Sequence, residues 1–114
     1  MNTGGIAGIH NVRVEGCRFT EVYGAGIATW KVDYVYVLNN TLDNSNFEMA
    51  LLYGDNATRN PDNEGAFVHG NFLVDLDSGE DGNLPNGNGF FINGYNLVSF
   101  FNNTFRRVAR DGFK

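Results

Sequence analysis

Four carboxylates lie close together in a glycine-containing stretch in the second half of the chain. They are Asp75, Asp77, Glu80 and Asp81, which fall within seven residues. Carboxylate oxygens are ligands that hard cations prefer, so this stretch is a candidate calcium site, with calcium as the candidate cofactor. The pattern is not that of an EF-hand, because Gly79 stands where that motif needs Asp or Asn. The alternative is a solvated acidic turn without a bound ion.

A second group of charged residues lies near the end of the sequence, in Arg106-Arg107-Val108-Ala109-Arg110-Asp111. A guanidinium group can donate two parallel hydrogen bonds to a carboxylate, so Arg106 and Arg107 are candidate ligands for a substrate carboxylate. Arg110 and Asp111 are the candidate catalytic residues, since an arginine here can act as base in an elimination if a cation acidifies the substrate proton. The alternative is that these arginines form salt bridges with Asp111 or with the acidic stretch.

An internal repeat in the sequence predicts the strands on which these charged residues lie. Four segments superimpose: alternating apolar residues, then Gly or Asn, then Asn (Cys in the first segment), then an apolar residue two places on. Successive Asn-column positions are 23 (40 − 17), 31 (71 − 40) and 32 (103 − 71) residues apart, and the longer intervals contain insertions. The equivalent columns are Val12/Val35/Ala66/Val98, Val14/Val37/Val68/Phe100, Cys17/Asn40/Asn71/Asn103 and Phe19/Leu42/Leu73/Phe105.

The repeat predicts an all-β solenoid of about four coils with a ladder of asparagines at one turn. A short strand with a period of two cannot bury its apolar face alone, whereas strands stacked from successive coils form a continuous core. Gly and Asn tolerate the left-handed backbone of a tight turn, and inward Asn side chains can hydrogen-bond their equivalents in the next coil. Helical spacing of apolar residues is nowhere sustained, which argues against a helical fold.

These segments resemble the parallel β-helix repeat of the pectate-lyase-like superfamily, in which each coil has three strands and Asn commonly occupies the turn between the second and third. The resemblance extends from about Gly5 to Phe113 and implies a right-handed parallel β-helix. It places Val12 in a second strand, Phe19 in a third strand and Ile27 in a first strand. Proteins of this superfamily are mostly secreted or surface proteins that act on polysaccharides, so it also implies an extracellular or cell-surface location.

The first-strand segments each begin with a small residue, and these align as Gly26, Ala50 and Gly89. Alternation from these residues, and from Gly112 in the last segment, predicts that the following side chains point outward: Ala28, Leu52, Phe91 and Lys114, and one step further Trp30 and Asn93. Trp30, Phe91 and Asn93 are therefore candidate substrate-binding residues, because an aromatic face can stack on the apolar face of a sugar ring. The alternative is that loops cover the two aromatic rings.

The resemblance implies a polysaccharide lyase or glycoside hydrolase that binds an acidic or neutral polysaccharide along the first-strand face. The turn at residues 106–111 would form one wall of the groove, beside the acidic stretch. Hydrolase signatures of the family, such as an Asn-Thr-Asp triplet, an Asp-Asp pair or a Gly-His-Gly, do not occur in the sequence. The alternative is a non-catalytic surface or adhesin module that binds glycans or acts as a rigid spacer, since fold does not determine function.

The length and composition of the chain limit the number of domains and the classes of partner that it can have. The 114 residues suit one domain, which we expect to be part of a longer solenoid because no capping helix is predicted at either end. The 13 acidic residues exceed the 8 basic ones, and no basic stripe is present, so nucleic-acid binding is not expected. No apolar run is long enough to span a membrane, and the single cysteine, Cys17, excludes an internal disulfide. The sequence does not predict the oligomeric state.

Overall fold

The regular structure consists of β-strands throughout the part of the chain that the computed structural model describes, which comprises residues 10–22, 24–45, 49–54, 65–76 and 89–108. No helix that could cross a membrane occurs in these ranges. The strands are β1 (Val12–Glu15), β2 (Arg18–Thr20), β3 (Ile27–Trp30), β4 (Tyr34–Leu38), β5 (Thr41–Ser45), β6 (Ala50–Tyr53), β7 (Gly65–His69), β8 (Phe72–Leu76), β9 (Phe90–Asn93), β10 (Leu97–Phe101) and β11 (Thr104–Val108).

The strands form three parallel sheets, and the chain visits them in the same order each time. Sheet A has the strand order β1-β4-β7-β10, sheet B the order β2-β5-β8-β11 and sheet C the order β3-β6-β9. We call each set of consecutive strands, one from each sheet, a rung; rungs 1 to 4 begin at β1, β4, β7 and β10. Every strand pairs in parallel with the equivalent strand of a neighbouring rung, an arrangement consistent with a parallel β-helix.

The register in sheets A and B confirms the alignment of the repeats. Val12, Val35, Ala66 and Val98 are partners across sheet A, and Phe19, Leu42, Leu73 and Phe105 are partners across sheet B. Their side chains face a common apolar core, because alternate residues of a strand point to the same side of the sheet. The central members of these columns are fully buried.

The register of sheet C differs by one residue from the expectation. Ala50 pairs with Ile27 and with Phe90, rather than with the small residues that precede them. Leu52 consequently faces the core and is 0% exposed, so the prediction that it points outward is wrong. The physical reason is that Ala50–Tyr53 is apolar on both faces, so alternation alone does not show which face is buried.

An asparagine ladder joins the rungs at the turn between sheets A and B, as predicted. Each ladder Oδ1 accepts the backbone N–H of the equivalent residue one rung earlier: Cys17 to Asn40 (2.9 Å), Asn40 to Asn71 (2.9 Å) and Asn71 to Asn103 (3.0 Å). Each Nδ2 donates to a carbonyl of that same earlier rung: Asn40 to Val14 (2.9 Å), Asn71 to Val37 (2.9 Å) and Asn103 to Val68 (2.8 Å). The ladder is therefore directional, because each asparagine satisfies polar groups of the rung before it.

Left-handed backbone conformations recur at fixed places in the rungs. The residue before each ladder position has a positive φ, in the order Gly16 (66°), Asn39 (54°), Gly70 (68°) and Asn102 (55°). A Cβ atom at Gly70 would collide with the side-chain oxygen of Asn39, which accounts for a glycine next to an asparagine in this column. A second column lies in the strands of sheet B, or directly after the strand in rung 1, and comprises Glu21, Asn44, Asp75 and Arg107, with φ between 53° and 55°.

Burial follows the position of a residue in the stack more than its type. Val98, in rung 4, is 38% exposed, whereas its column partners Val35 and Ala66 are 0% exposed. Leu97 and Phe101 of the same strand are 54% and 52% exposed. The core is thus complete in rungs 2 and 3 and partly open at rung 4.

Candidate functional site

An aromatic row crosses the outer face of sheet C and consists of Trp30, Tyr53 and Phe91, one residue from each rung. The ring centroids of Trp30 and Tyr53 are 5.1 Å apart with planes inclined at 36°, and those of Tyr53 and Phe91 are 5.3 Å apart at 42°. Trp30 and Tyr53 are paired residues, so the distance between their rings follows from the spacing of paired strands, which is roughly 4.8 Å. Phe91 pairs with Leu51, so its contact with Tyr53 is diagonal. The row therefore crosses the three strands and shifts by two residues between β6 and β9.

The row includes two of the predicted substrate-binding residues and lies beside the third. Trp30 is 66% exposed and Phe91 is half-buried. Asn93, which pairs with Tyr53, is exposed and adds a polar side chain to the same face, two residues after Phe91 in rung 3. The structure thus brings Trp30, Phe91 and Asn93 to one surface, where an aromatic or apolar ring can be held by stacking and oriented by an amide.

Tyr53 was not predicted as part of this surface. The one-residue register difference in sheet C replaces Leu52 by Leu51 on the outer face and places Tyr53 next to Trp30. A signal for this was available, because Trp30 and Tyr53 both end their apolar segments, and aligning these two ends instead of the segment starts gives the observed register of β3 with β6.

A second aromatic group covers the outer face of sheet A. The rings of Tyr36 and Phe67 are parallel, with centroids 4.9 Å apart, and the ring of His69 stacks on Phe101 with centroids 3.8 Å apart. His69 alternates with buried Val68 and therefore points outward, and its Nε2 lies 2.9 Å from the hydroxyl of Ser99. These rings cover one another's faces, so the group mainly stabilises the stack.

The arginines of β11 lie on sheet B, not on the face that carries the aromatic row. Arg106 is exposed on the outer face and pairs with Val74. Arg107 forms a bidentate ion pair with Asp75. Its Nε donates to Oδ1 of the carboxylate, and its Nη2 donates to Oδ2 at 2.8 Å. This hydrogen bonding lowers the pKa of the Asp75 carboxyl and raises the pKa of Arg107. The candidate substrate ligand Arg107 and the candidate metal ligand Asp75 are therefore bound to each other.

The other candidate residues fall outside the described ranges. These are the metal ligands Asp77, Glu80 and Asp81 and the catalytic candidates Arg110 and Asp111. Within the described ranges, no group of three or more His, Cys, Asp or Glu side chains is placed to hold a metal ion.

The ion pair between His10 and Asp33 was not predicted from the sequence. His10 Nδ1 contacts a carboxylate oxygen of Asp33, and the two side chains are 53% and 17% exposed. The signal was present, because the two residues are 23 (33 − 10) positions apart, which equals the first repeat interval. The pair therefore joins equivalent positions in rungs 1 and 2, as the ion pair of Arg107 with Asp75 joins rungs 3 and 4.

Comparison with known proteins gives no family assignment. No protein-family model, no curated protein and no solved structure matches this chain.

Proposed function

We propose that this chain is part of a right-handed parallel β-helix of the pectate-lyase-like kind and that it binds an extracellular polysaccharide along the outer face of sheet C. The observation that carries the proposal is the aromatic row of Trp30, Tyr53 and Phe91, with its exposed tryptophan at one end. Its ring spacing is similar to the length of one pyranose unit. A polysaccharide that follows the row across β3, β6 and β9 can therefore place successive sugars over successive rings.

Ring geometry supports this face over sheet A. The rings of the row are tilted by 36° and 42°, and Trp30 is 66% exposed, whereas Tyr36 and Phe67 are half-buried and stacked on each other at 9°. Stacking on an aromatic ring suits the apolar face of a sugar, and Asn93 adds an amide that can donate to a hydroxyl. The row would accept neutral and acidic sugars alike.

The proposed catalytic activity is that of a polysaccharide lyase or glycoside hydrolase. Arg110 and Asp111 are the catalytic candidates, and calcium is the candidate cofactor. The second candidate function is a non-catalytic glycan-binding module of a surface protein. The ion pair between Arg107 and Asp75 favours this second candidate, because it occupies one proposed substrate ligand and one proposed metal ligand with each other.

Binding is tested with Trp30→Ala against polygalacturonate and a neutral β-glucan, by isothermal titration calorimetry. Loss of one stacking contact should weaken binding roughly three- to tenfold. The matched control is Phe72→Ala, which removes an exposed aromatic ring from sheet B and should leave the affinity unchanged. Equal affinities for wild type and Trp30→Ala would contradict the proposed surface.

Turnover is tested on the same polymers with and without added calcium, by following unsaturated and reducing ends. Release of either product that is lost in Arg110→Ala would support the enzyme. Retained binding without release of product from any polymer would support the non-catalytic module.

A further inference from the structure

The turn that carries the asparagine ladder also contains two sequons, the Asn-x-Ser/Thr pattern that accepts N-linked glycans. The sequence reads Asn39-Asn40-Thr41 in rung 2 and Asn102-Asn103-Thr104 in rung 4. The acceptor in each sequon is the first asparagine, whereas the ladder residue is the second. The two asparagines of each turn can therefore have separate roles.

The two asparagines of a turn differ in what their side chains are free to do. Asn40 is 1% exposed, its Oδ1 accepts the N–H of Cys17, and its Nδ2 donates to the carbonyl of Val14. By contrast, Asn39 and Asn102 are both exposed and both have a left-handed backbone. The ladder thus occupies the second amide of the turn and leaves the first at the surface.

The space around Asn39 suits a bulky substituent. Its equivalents in the adjacent rungs are Gly16 and Gly70, which have no side chains. A Cβ atom at Gly16 would have nothing within 4 Å, so the turn is open on that side. Because rung 2 has described rungs on both sides, the exposure of Asn39 is a property of the turn and not of an end of the stack. Asn102 occupies the same position in its rung.

The threonine of each sequon also lies on the outside of the stack. Thr41 and Thr104 are the first residues of β5 and β11. They alternate with Leu42 and Phe105, which face the core, so their side chains point outward. Thr41 is half-buried and Thr104 is exposed. Acceptor amide and hydroxyl are therefore on the surface at both turns.

We propose that Asn39 and Asn102 are attachment sites for N-linked oligosaccharides. The proposal rests on the extracellular location in the proposed function, because these glycans are added to chains that enter the secretory pathway. The donor is an oligosaccharide joined to a lipid diphosphate. A bond forms between Nδ2 and the anomeric carbon, the bond from that carbon to the diphosphate breaks, the lipid diphosphate leaves with the electron pair, and the amide nitrogen loses one proton.

The two attachment sites lie away from the proposed polysaccharide surface. Both turns join sheet A to sheet B, whereas the aromatic row lies on the outer face of sheet C. The sites are two rungs apart, which is roughly 10 Å at the usual spacing of paired strands. The glycans therefore cover the turn between sheets A and B and leave the aromatic row open.

The test expresses the full chain behind a cleavable signal peptide in a cell line that performs N-glycosylation. Only chains that have lost the signal peptide are scored, whether secreted or retained, because its removal shows entry into the secretory pathway. Peptide N-glycosidase converts a glycosylated Asn to Asp, which peptide mass spectrometry detects. Conversion of Asn39 and of Asn102 is expected, and an unconverted residue would overturn the proposal for that site. Reading each peptide is necessary because a third sequon, at Asn56, lies outside the described ranges.

Matched variants assign the modification to the sequon. Thr41→Val removes the hydroxyl and should abolish conversion of Asn39 while Asn102 stays converted, and Thr41→Ser keeps the sequon and should keep the conversion. Conversion of Asn39 in Thr41→Val would contradict the assignment.

Calorimetry separates this proposal from the proposed function. The glycosylated wild type and the double variant Thr41→Val/Thr104→Val should bind polysaccharide with equal affinity, because the glycans lie away from sheet C. Weaker binding by the glycosylated form would contradict the proposed placement of the glycans. Glycans on both residues without binding of any polysaccharide would support the attachment sites and refute the polysaccharide surface.

Discussion

At the scale of single residues, the ladder asparagines stabilise this fold through buried hydrogen bonds that join one rung to the next. Asn40 and Asn71 are 1% exposed, and both their side-chain oxygen and their side-chain nitrogen are hydrogen-bonded. A buried amide is stabilising only when its bonds are complete, because an unpaired buried donor or acceptor costs about 1–3 kcal/mol.

We expect Asn71→Leu to lower the free energy of unfolding by about 2–4 kcal/mol in a chemical denaturation experiment. The substitution roughly preserves volume but leaves the N–H of Asn40 and the carbonyl of Val37 without their partners. The control is Asn39→Gly at the neighbouring turn position, where φ is 54° and glycine is favoured, and it should change stability by less than about 1 kcal/mol. Similar stabilities for wild type and Asn71→Leu would contradict this account of the ladder.

The ion pair of Asp75 with Arg107 should make stability depend on pH in a defined direction. Because Arg107 lowers the pKa of folded Asp75, the pair stabilises the fold above the pKa of unfolded Asp, about 3.9, and the effect is lost as pH falls through the lower, folded pKa. At neutral pH, wild type should therefore melt at a slightly higher temperature than Asp75→Asn. At a pH below the folded pKa of Asp75, the two proteins should melt at the same temperature. Thermal melts across this pH range measure it, and Arg107→Gln should abolish the same pH-dependent difference.

At the scale of elements, the predictable and unpredictable parts of the structure have different physical causes. Sheets A and B were aligned correctly because each strand is followed by a turn whose left-handed backbone requires Gly or Asn, so residues such as Gly70 and Asn71 mark the register. Sheet C has no such marker at its start, and the two-sided apolar segment Ala50–Tyr53 left its register ambiguous. The aromatic row was therefore found only in part, with Trp30 and Phe91 but without Tyr53.

The turn after the sheet C strands depends on close backbone packing between rungs. A Cβ atom at Gly54 would overlap the carbonyl oxygen of Gly94 in the next rung, and backbone atoms cannot move aside as a flexible side chain can. We expect Gly54→Ala to destabilise the protein by about 2 kcal/mol or more. Gly24→Ala is the matched control, since a Cβ there has nothing within 4 Å and should change stability by less than about 0.5 kcal/mol. Equal effects of the two substitutions in denaturant titrations would contradict the packing argument.

At the scale of the whole molecule, each described strand pairs with the equivalent strands of the adjacent rungs. Such a repeat opens most readily at its ends, because an end rung has one interface and a central rung has two. In sheet A, the backbone amides of β4 and β7 should therefore exchange more slowly than those of β1 and β10, by about tenfold or more, which corresponds to roughly 1.4 kcal/mol. Hydrogen exchange followed by mass spectrometry measures this difference. Uniform protection across the four strands would instead show that the described rungs open as one cooperative unit.

The direction of the ladder also bears on how the chain folds as it leaves the ribosome. In rungs 1 to 3, the turn amide donates to an asparagine that lies 23 to 32 residues later in the sequence. During synthesis, a rung can thus form its strands early but gains its full set of hydrogen bonds only after the next rung has emerged. Completion of the fold must lag synthesis by one repeat, so a ribosome that pauses within a repeat holds the preceding rung in an unfinished state.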